Sequence, residues 1–147
     1  MAKKLLQLRG LPGRPRGFVE GTARKHCCKR RKSVATSFTL ESPAFSAGGT
    51  IPKRFTCDGE NVSPELRWQG APDGTRSFAL LVEDPDARKG TFTDWILFDI
   101  PASRSNLPEG TKAGEVGIAG TNDSRKTGYT GPCPPPGHGA HLACAAF

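Results

Sequence analysis

The chain has 147 residues, 35% of them hydrophobic, with 18 glycines and 13 prolines. That length gives one domain, or one domain with a tail, and that composition gives a small core with long loops. Lys and Arg number 21 against 14 acids, and no run approaches the ~20 apolar residues of a membrane-spanning helix.

The positive charge sits at one end. Residues 1–36 hold eleven Lys/Arg and one acid, Glu20, whereas residues 37–147 hold ten and thirteen. The first segment has little apolar periodicity and a dense basic cluster at 24–32, so it reads as a disordered arm ahead of a folded unit over 37–147. A solvated extension is the preferred reading of the arm. A grip on nucleic acid or an anionic membrane is the alternative, but no aromatic side chain is interleaved with the 24–32 cluster to stack on bases. His26, Cys27 and Cys28 lack a second ligand pair at finger spacing, so no metal is assigned there. The apolar run near the start is broken by Gln7 and Arg9 and does not make a signal-peptide core. A cytoplasmic location with mostly reduced thiols is the resulting expectation.

Phe38–Leu40 alternates and predicts a first strand, ended by Pro43 and Gly48-Gly49. Ile51–Phe55 predicts a short second strand and Leu66–Trp68 a third, followed by a turn at 70–74. Ser77–Glu83 is the strongest strand, apolar enough to suggest burial on both faces. Phe92–Ile100 follows it, 101–114 is turn-rich, Val116–Ile118 is weakly strand-like, and 120–139 reads as loop. No stretch has a helical period. The class is all-β, with two packed sheets as the way to bury such strands.

Three carboxylates, Asp84, Asp86 and Asp94, fall between the two strongest strands. Asp-Pro-Asp at a strand end reads either as a solvated turn or as acids at the rim of a pocket. His141 closes a Gly-Pro-Cys-Pro-Pro-Pro loop whose prolines fix φ and stiffen the chain, and His138 is the weaker histidine. Asp84, Asp86, Asp94 and His141 could together hold a divalent ion or support hydrolysis, although their spacing fits no named metal motif. No nucleophile with an obvious base stands out. Cys57 and Cys133 are open to three readings: a buried thiol pair, a disulfide, or chance neighbours.

Five blocks carry a resemblance: CDGENVSPELRW at 57–68, EDPDA at 83–87, WILFDIPA at 95–102, GTNDSRKTGY at 120–129 and GPCPPPGHGAH at 131–141. Over about 38–141 the chain resembles the bacterial and archaeal branch of the phosphatidylethanolamine-binding protein (Raf kinase inhibitor-like) family. The resemblance implies a two-sheet antiparallel β-sandwich and a non-enzymatic binding module without a cofactor. It implies a small pocket for an anion or phospholipid headgroup, shaped by Asp84, Asp86, Asp94, Gly131, Pro132 and His141. It also implies a protein kinase or other enzyme as an inhibited partner. Three departures stand out. Asp94 replaces a family histidine, Arg88 replaces a proline, and the chain runs only to Phe147 after His141, where the family continues with a pocket tyrosine, a strand and a helix region. The end therefore reads as truncated or frameshifted, with an interior strand missing and marginal stability expected, and a defective product without activity is the alternative to a binding module.

Overall fold

The computed structural model describes residues 4–9, 38–88, 90–135 and 141–146. Among these residues the strands in chain order are β1 Lys4–Arg9, β2 Thr39–Glu41, β3 Leu66–Gln69, β4 Ser77–Asp84, β5 Phe92–Pro101, β6 Asn106–Leu107, β7 Ile118–Ala119 and β8 His141–Ala146. They form a five-stranded sheet ordered β1-β8-β4-β5-β7 and a three-stranded sheet ordered β2-β3-β6. Pairing is antiparallel except between β1 and β8. The all-β, two-sheet expectation is borne out.

The core follows from strand alternation. On β4, Phe78, Leu80, Val82 and Asp84 are buried, while Ser77 and Ala79 are exposed and Leu81 and Glu83 half-buried. The expected burial on both faces is thus corrected to a single inward face. From β3 and β6 come Leu66, Trp68 and Leu107, which meet the β4 side chains and Trp95, Leu97 and Ile100 of β5 in one cluster. Trp68 stands edge-on to Phe78 at 5.4 Å between centroids, an arrangement that adds about 0.5–1.5 kcal/mol beyond burial.

Two irregularities in β5 set the direction of its side chains. Phe78 pairs with Ile100 and Leu80 with Leu97, so β5 carries an extra residue there, and Asp99 takes a φ of 57°. That bulge lets Leu97 and Ile100 both face the core. The second lies between the pairs Val82–Trp95 and Glu83–Thr93, where the extra residue is Asp94.

Several sequence expectations change. Ile51–Phe55 is not a strand: Lys53–Phe55 makes a 3-10 turn after Pro52, whose carbonyl accepts from Phe55 N at 3.0 Å. Proline lacks the N–H a strand ladder needs, and its fixed φ suits entry to a turn. Lys4–Arg9, read as part of the arm, is β1 and runs parallel to β8. The rest of the arm, including the 24–32 cluster, lies outside the described residues. The interior seat expected to be empty is filled, because His141–Ala146 pairs with β4 through Leu81–Ala146, Val82–Ala145 and Glu83–Cys144. Ala143 and Ala145 are buried against the cluster, and their small side chains let β8 sit close to it. Among the described residues no helix is long and apolar enough to cross a membrane.

Candidate functional site

The inward phase of β4 ends in a polar residue, Asp84, which is 5% exposed. The pairing of Glu83 with Cys144 carries the start of β8 past the end of β4. There His141, also 5% exposed, places Nδ1 2.9 Å from Asp84 Oδ2. Asp84 Oδ1 accepts from Asp86 N at 3.0 Å, a local turn that fixes the carboxylate. Both oxygens of Asp84 are therefore held, one by the chain that follows and one by an imidazole 57 residues away.

Asp94 is brought to the same region by the bulge. A regular strand would put Asp94 and Trp95 on opposite faces, yet both are buried, at 2% and 1% exposure. Its carbonyl, displaced from the ladder, accepts from Asn122 Nδ2 at 3.0 Å and Thr130 N at 3.1 Å. Asn122 also donates to Gly128 O and Thr130 Oγ1, and its Oδ1 accepts from Lys126 N. This buried amide locks the 120–130 loop to the bulge. Beside it, Tyr129 stacks edge-on against Trp95 at 5.3 Å and donates its hydroxyl to Phe55 O. Burial, and after it the negative charge of Asp94, push the Tyr129 phenol well above its usual range.

The remaining wall is the 130–135 loop. Gly131 N donates to Asn61 Oδ1 at 2.7 Å. A Cβ at Gly131 would lie 2.5 Å from Phe55 O and 2.8 Å from Thr56 Cα, so only glycine fits this approach. Cys57 and Cys133 are joined by a disulfide with Cα atoms 5.3 Å apart. Of the three readings left open, the bridge is the one observed, and the expectation of reduced thiols is corrected for this pair. Asp84, Asp94, His141, Arg88, Ser124, Thr130, Gly131 and Cys133 line a cavity of about 500 Å³, with Asp123 and the prolines at 134–135 completing it.

The structure thus brings together Asp84, Asp94, Gly131 and His141. It does not bring Asp86 in: that side chain is exposed and absent from the lining, because Pro85 and the turn direct it outward. Pro132 is buried toward Trp95 and Tyr129 and faces the core instead of the cavity. His138 lies outside the described residues. Among the described residues no three His, Cys, Asp or Glu side chains are placed to hold a metal ion, so the metal reading gains no support. Asn122 and Thr130 were not singled out from the sequence. Asn122 sits in a matched block and Thr130 just after it, but nothing local marks them, since they join a bulge carbonyl, each other and the loop backbone.

The family model for phosphatidylethanolamine-binding protein matches residues 41–145. The chain belongs to this family. Among relatives, the UPF0098 protein of Aquifex aeolicus is 50% identical over 103 residues, 68% of this chain and 60% of that protein. The UPF0098 protein of Pyrococcus horikoshii is 44% identical, covering 68% of this chain and 53% of that protein. The chain thus spans little more than half the length of these two relatives. A Mycobacterium tuberculosis relative, 44% identical over 74% of this chain, is named as a lipoprotein. Escherichia coli YbcL, described as a new member of the mammalian PEBP family, matches with a TM-score of 0.65 and 35% identity over 71% of each chain. A PEBP homologue from Chlamydia trachomatis matches with a TM-score of 0.64 and 28% identity, over 76% of this chain and 96% of that one. The PEBP-family resemblance read from the five blocks is borne out, and the cavity sits among them.

Proposed function

We propose that this PEBP-family chain is a non-enzymatic binding module whose cavity at Asp84, Asp94 and His141 takes a small polar ligand of headgroup size. The observation that carries the reading is the buried His141–Asp84 contact of 2.9 Å on the wall of a cavity of about 500 Å³. A paired acid and imidazole in a preformed hollow offer directed hydrogen bonds to a small ligand. Family membership adds a partner role, inhibition of a protein kinase or another enzyme. The disulfide favours an oxidising compartment over the cytoplasm expected from the N-terminus.

Phosphoethanolamine, which carries both ends of the headgroup, tests the reading. Titrated into the full chain and followed by NMR, it should shift the His141 ring and the amides around residues 84, 94 and 131. Shifts confined to other surfaces, or none up to ~10 mM, reject the proposal.

A further inference from the structure

Far from the cavity, the larger sheet ends at β7. Among the described residues two large hydrophobic side chains are exposed, Phe98 at 42% and Ile118 at 52%. The register makes them cross-strand partners on β5 and β7, so they stand side by side on the outer face of the sheet. Further along the same face, Gly120 N donates to Ile96 O at 3.0 Å, and a Cβ on Gly120 would lie 2.9 Å from Ile96 Cγ2. Gly120 is therefore a notch beside Ile96, and Ile118 is a knob beside Phe98.

The hydrogen-bond phase decides which backbone groups face outward. Gly120 is bonded to Ile96, so in this antiparallel ladder Ile118 is bonded to Phe98, and Ala119 between them is not bonded to Leu97. The N–H and C=O of Ala119 point away from β5, and among the described residues no strand of this sheet lies beyond β7. Sheet edges are commonly blunted by charged side chains or prolines. Val116–Gly120 has neither.

An identical copy running antiparallel answers this edge in full. Paired about Ala119, it accepts one N–H···O bond and returns another. Ile118 then stands opposite Gly120 of the second copy, at the closer, non-bonded kind of position. The knob of each copy fills the notch of the other, and the apolar row runs unbroken from Phe98 of one copy to Phe98 of the other. No ionisable residue lies between 116 and 120, so no like charges oppose each other along the pairing.

We infer that this chain forms a two-fold dimer through the β7 edge, centred on Ala119, with Ile118 as its apolar contact. Because β7 is short, the interface is smaller than the ~1,200 Å² at which standard interfaces begin, and the dimer is weak and reversible. Its dissociation constant is on the order of 100 μM.

Sedimentation equilibrium of the full chain from about 10 μM to about 1 mM tests this, with thiols alkylated to exclude intermolecular disulfides. The mass should rise from monomer to dimer across that range and go no further. Ile118 does not line the cavity, and Ile118→Lys puts an ammonium group on each side of the axis, so it should weaken the dimer at least about tenfold. Ala119→Pro removes an N–H that β5 does not use and should weaken the dimer by a similar factor. Circular dichroism melts establish that each variant is folded. In the wild type the amide resonances of residues 118–120 should move with concentration, a test that holds even where a variant does not fold. A monomer at about 1 mM overturns the inference and leaves the edge to a different chain. A dimer unmoved in folded Ile118→Lys and Ala119→Pro, or association beyond two copies, overturns it as well, because the contact then lies on another surface.

Discussion

Replacing Cys57 and Cys133 by serine together, or reducing them, removes a crosslink between residues 76 apart in sequence. In the chain-entropy treatment a closed loop of that length restrains the unfolded state by about 4–5 kcal/mol. Small domains are stable by only about 5–15 kcal/mol in total, so the bridge is a large part of what holds this one. Local contacts soften the loss. Cys57 N still donates to Pro132 O at 3.3 Å, and Gly131 N to Asn61 Oδ1 at 2.7 Å. At roughly 4 °C per kcal/mol for a domain near 100 residues, the midpoint of thermal unfolding should drop by about 15 °C. Far-ultraviolet circular dichroism with and without dithiothreitol measures the shift, and the double serine variant should reproduce it without reductant. A drop below about 3 °C in both would refute the reasoning, because the loop wall would then be held by its hydrogen bonds and packing alone. Since Cys133 lines the cavity, ligand affinity should weaken in step with stability at temperatures where the variant remains folded.

His141→Phe should cost about 3–5 kcal/mol in urea unfolding, because it leaves the Asp84 carboxylate buried without its imidazole. A loss under about 1 kcal/mol would show that the contact holds nothing together. Asn122→Ala removes the amide whose two N–H groups are shared among Asp94 O, Gly128 O and Thr130 Oγ1 and whose oxygen accepts from Lys126 N, and should lower stability by about 2–4 kcal/mol while loosening Asp94, seen as faster amide exchange at residues 94 and 130. Gly131→Ala should destabilise by about 1–3 kcal/mol, since its methyl group meets backbone atoms of Phe55 and Thr56; an unchanged melt would mean that the wall yields freely. Tyr129 gives a pH dependence of known sign. Its phenol is raised in the folded state, so its contribution is complete below the ordinary value of 10.0 and is lost as pH rises above it. Melts between pH 9 and 11 should show that loss in the wild type and less of it in Tyr129→Phe, which has no group to ionise there.

β3 was legible because one apolar face is a local signal; β4 was legible as a strand from its apolar run, but its single buried face was not, because Ala79 and Leu81 on the outer face are apolar too. The meeting of Asp84 with His141 was legible, but only through the family blocks, since no spacing rule links residues 57 apart. That Asp94 faces the cavity was legible only through its match to a family position, since its place between two strands gives no direction. Its direction depends on a single-residue register change against β4, which no pattern within β5 announces. For β8 the difficulty was different. Leu142 to Ala146 is alanine-rich and short, with weak strand propensity, and it becomes a strand because β4 offers a ladder for it. Asp86 was placed at the rim through the family blocks, whereas the turn at Pro85 breaks the period of two that would keep it on the face of Asp84.

The extra residue in β5 puts two neighbours to separate uses. Trp95 supplies the bulk that the interior needs, and Asp94, one peptide unit away, addresses the hollow. Position 94 can therefore change its chemistry without disturbing the aromatic anchor beside it. A lineage holding this kink could retune what the hollow admits through one codon, and the sandwich around it would not have to be rebuilt.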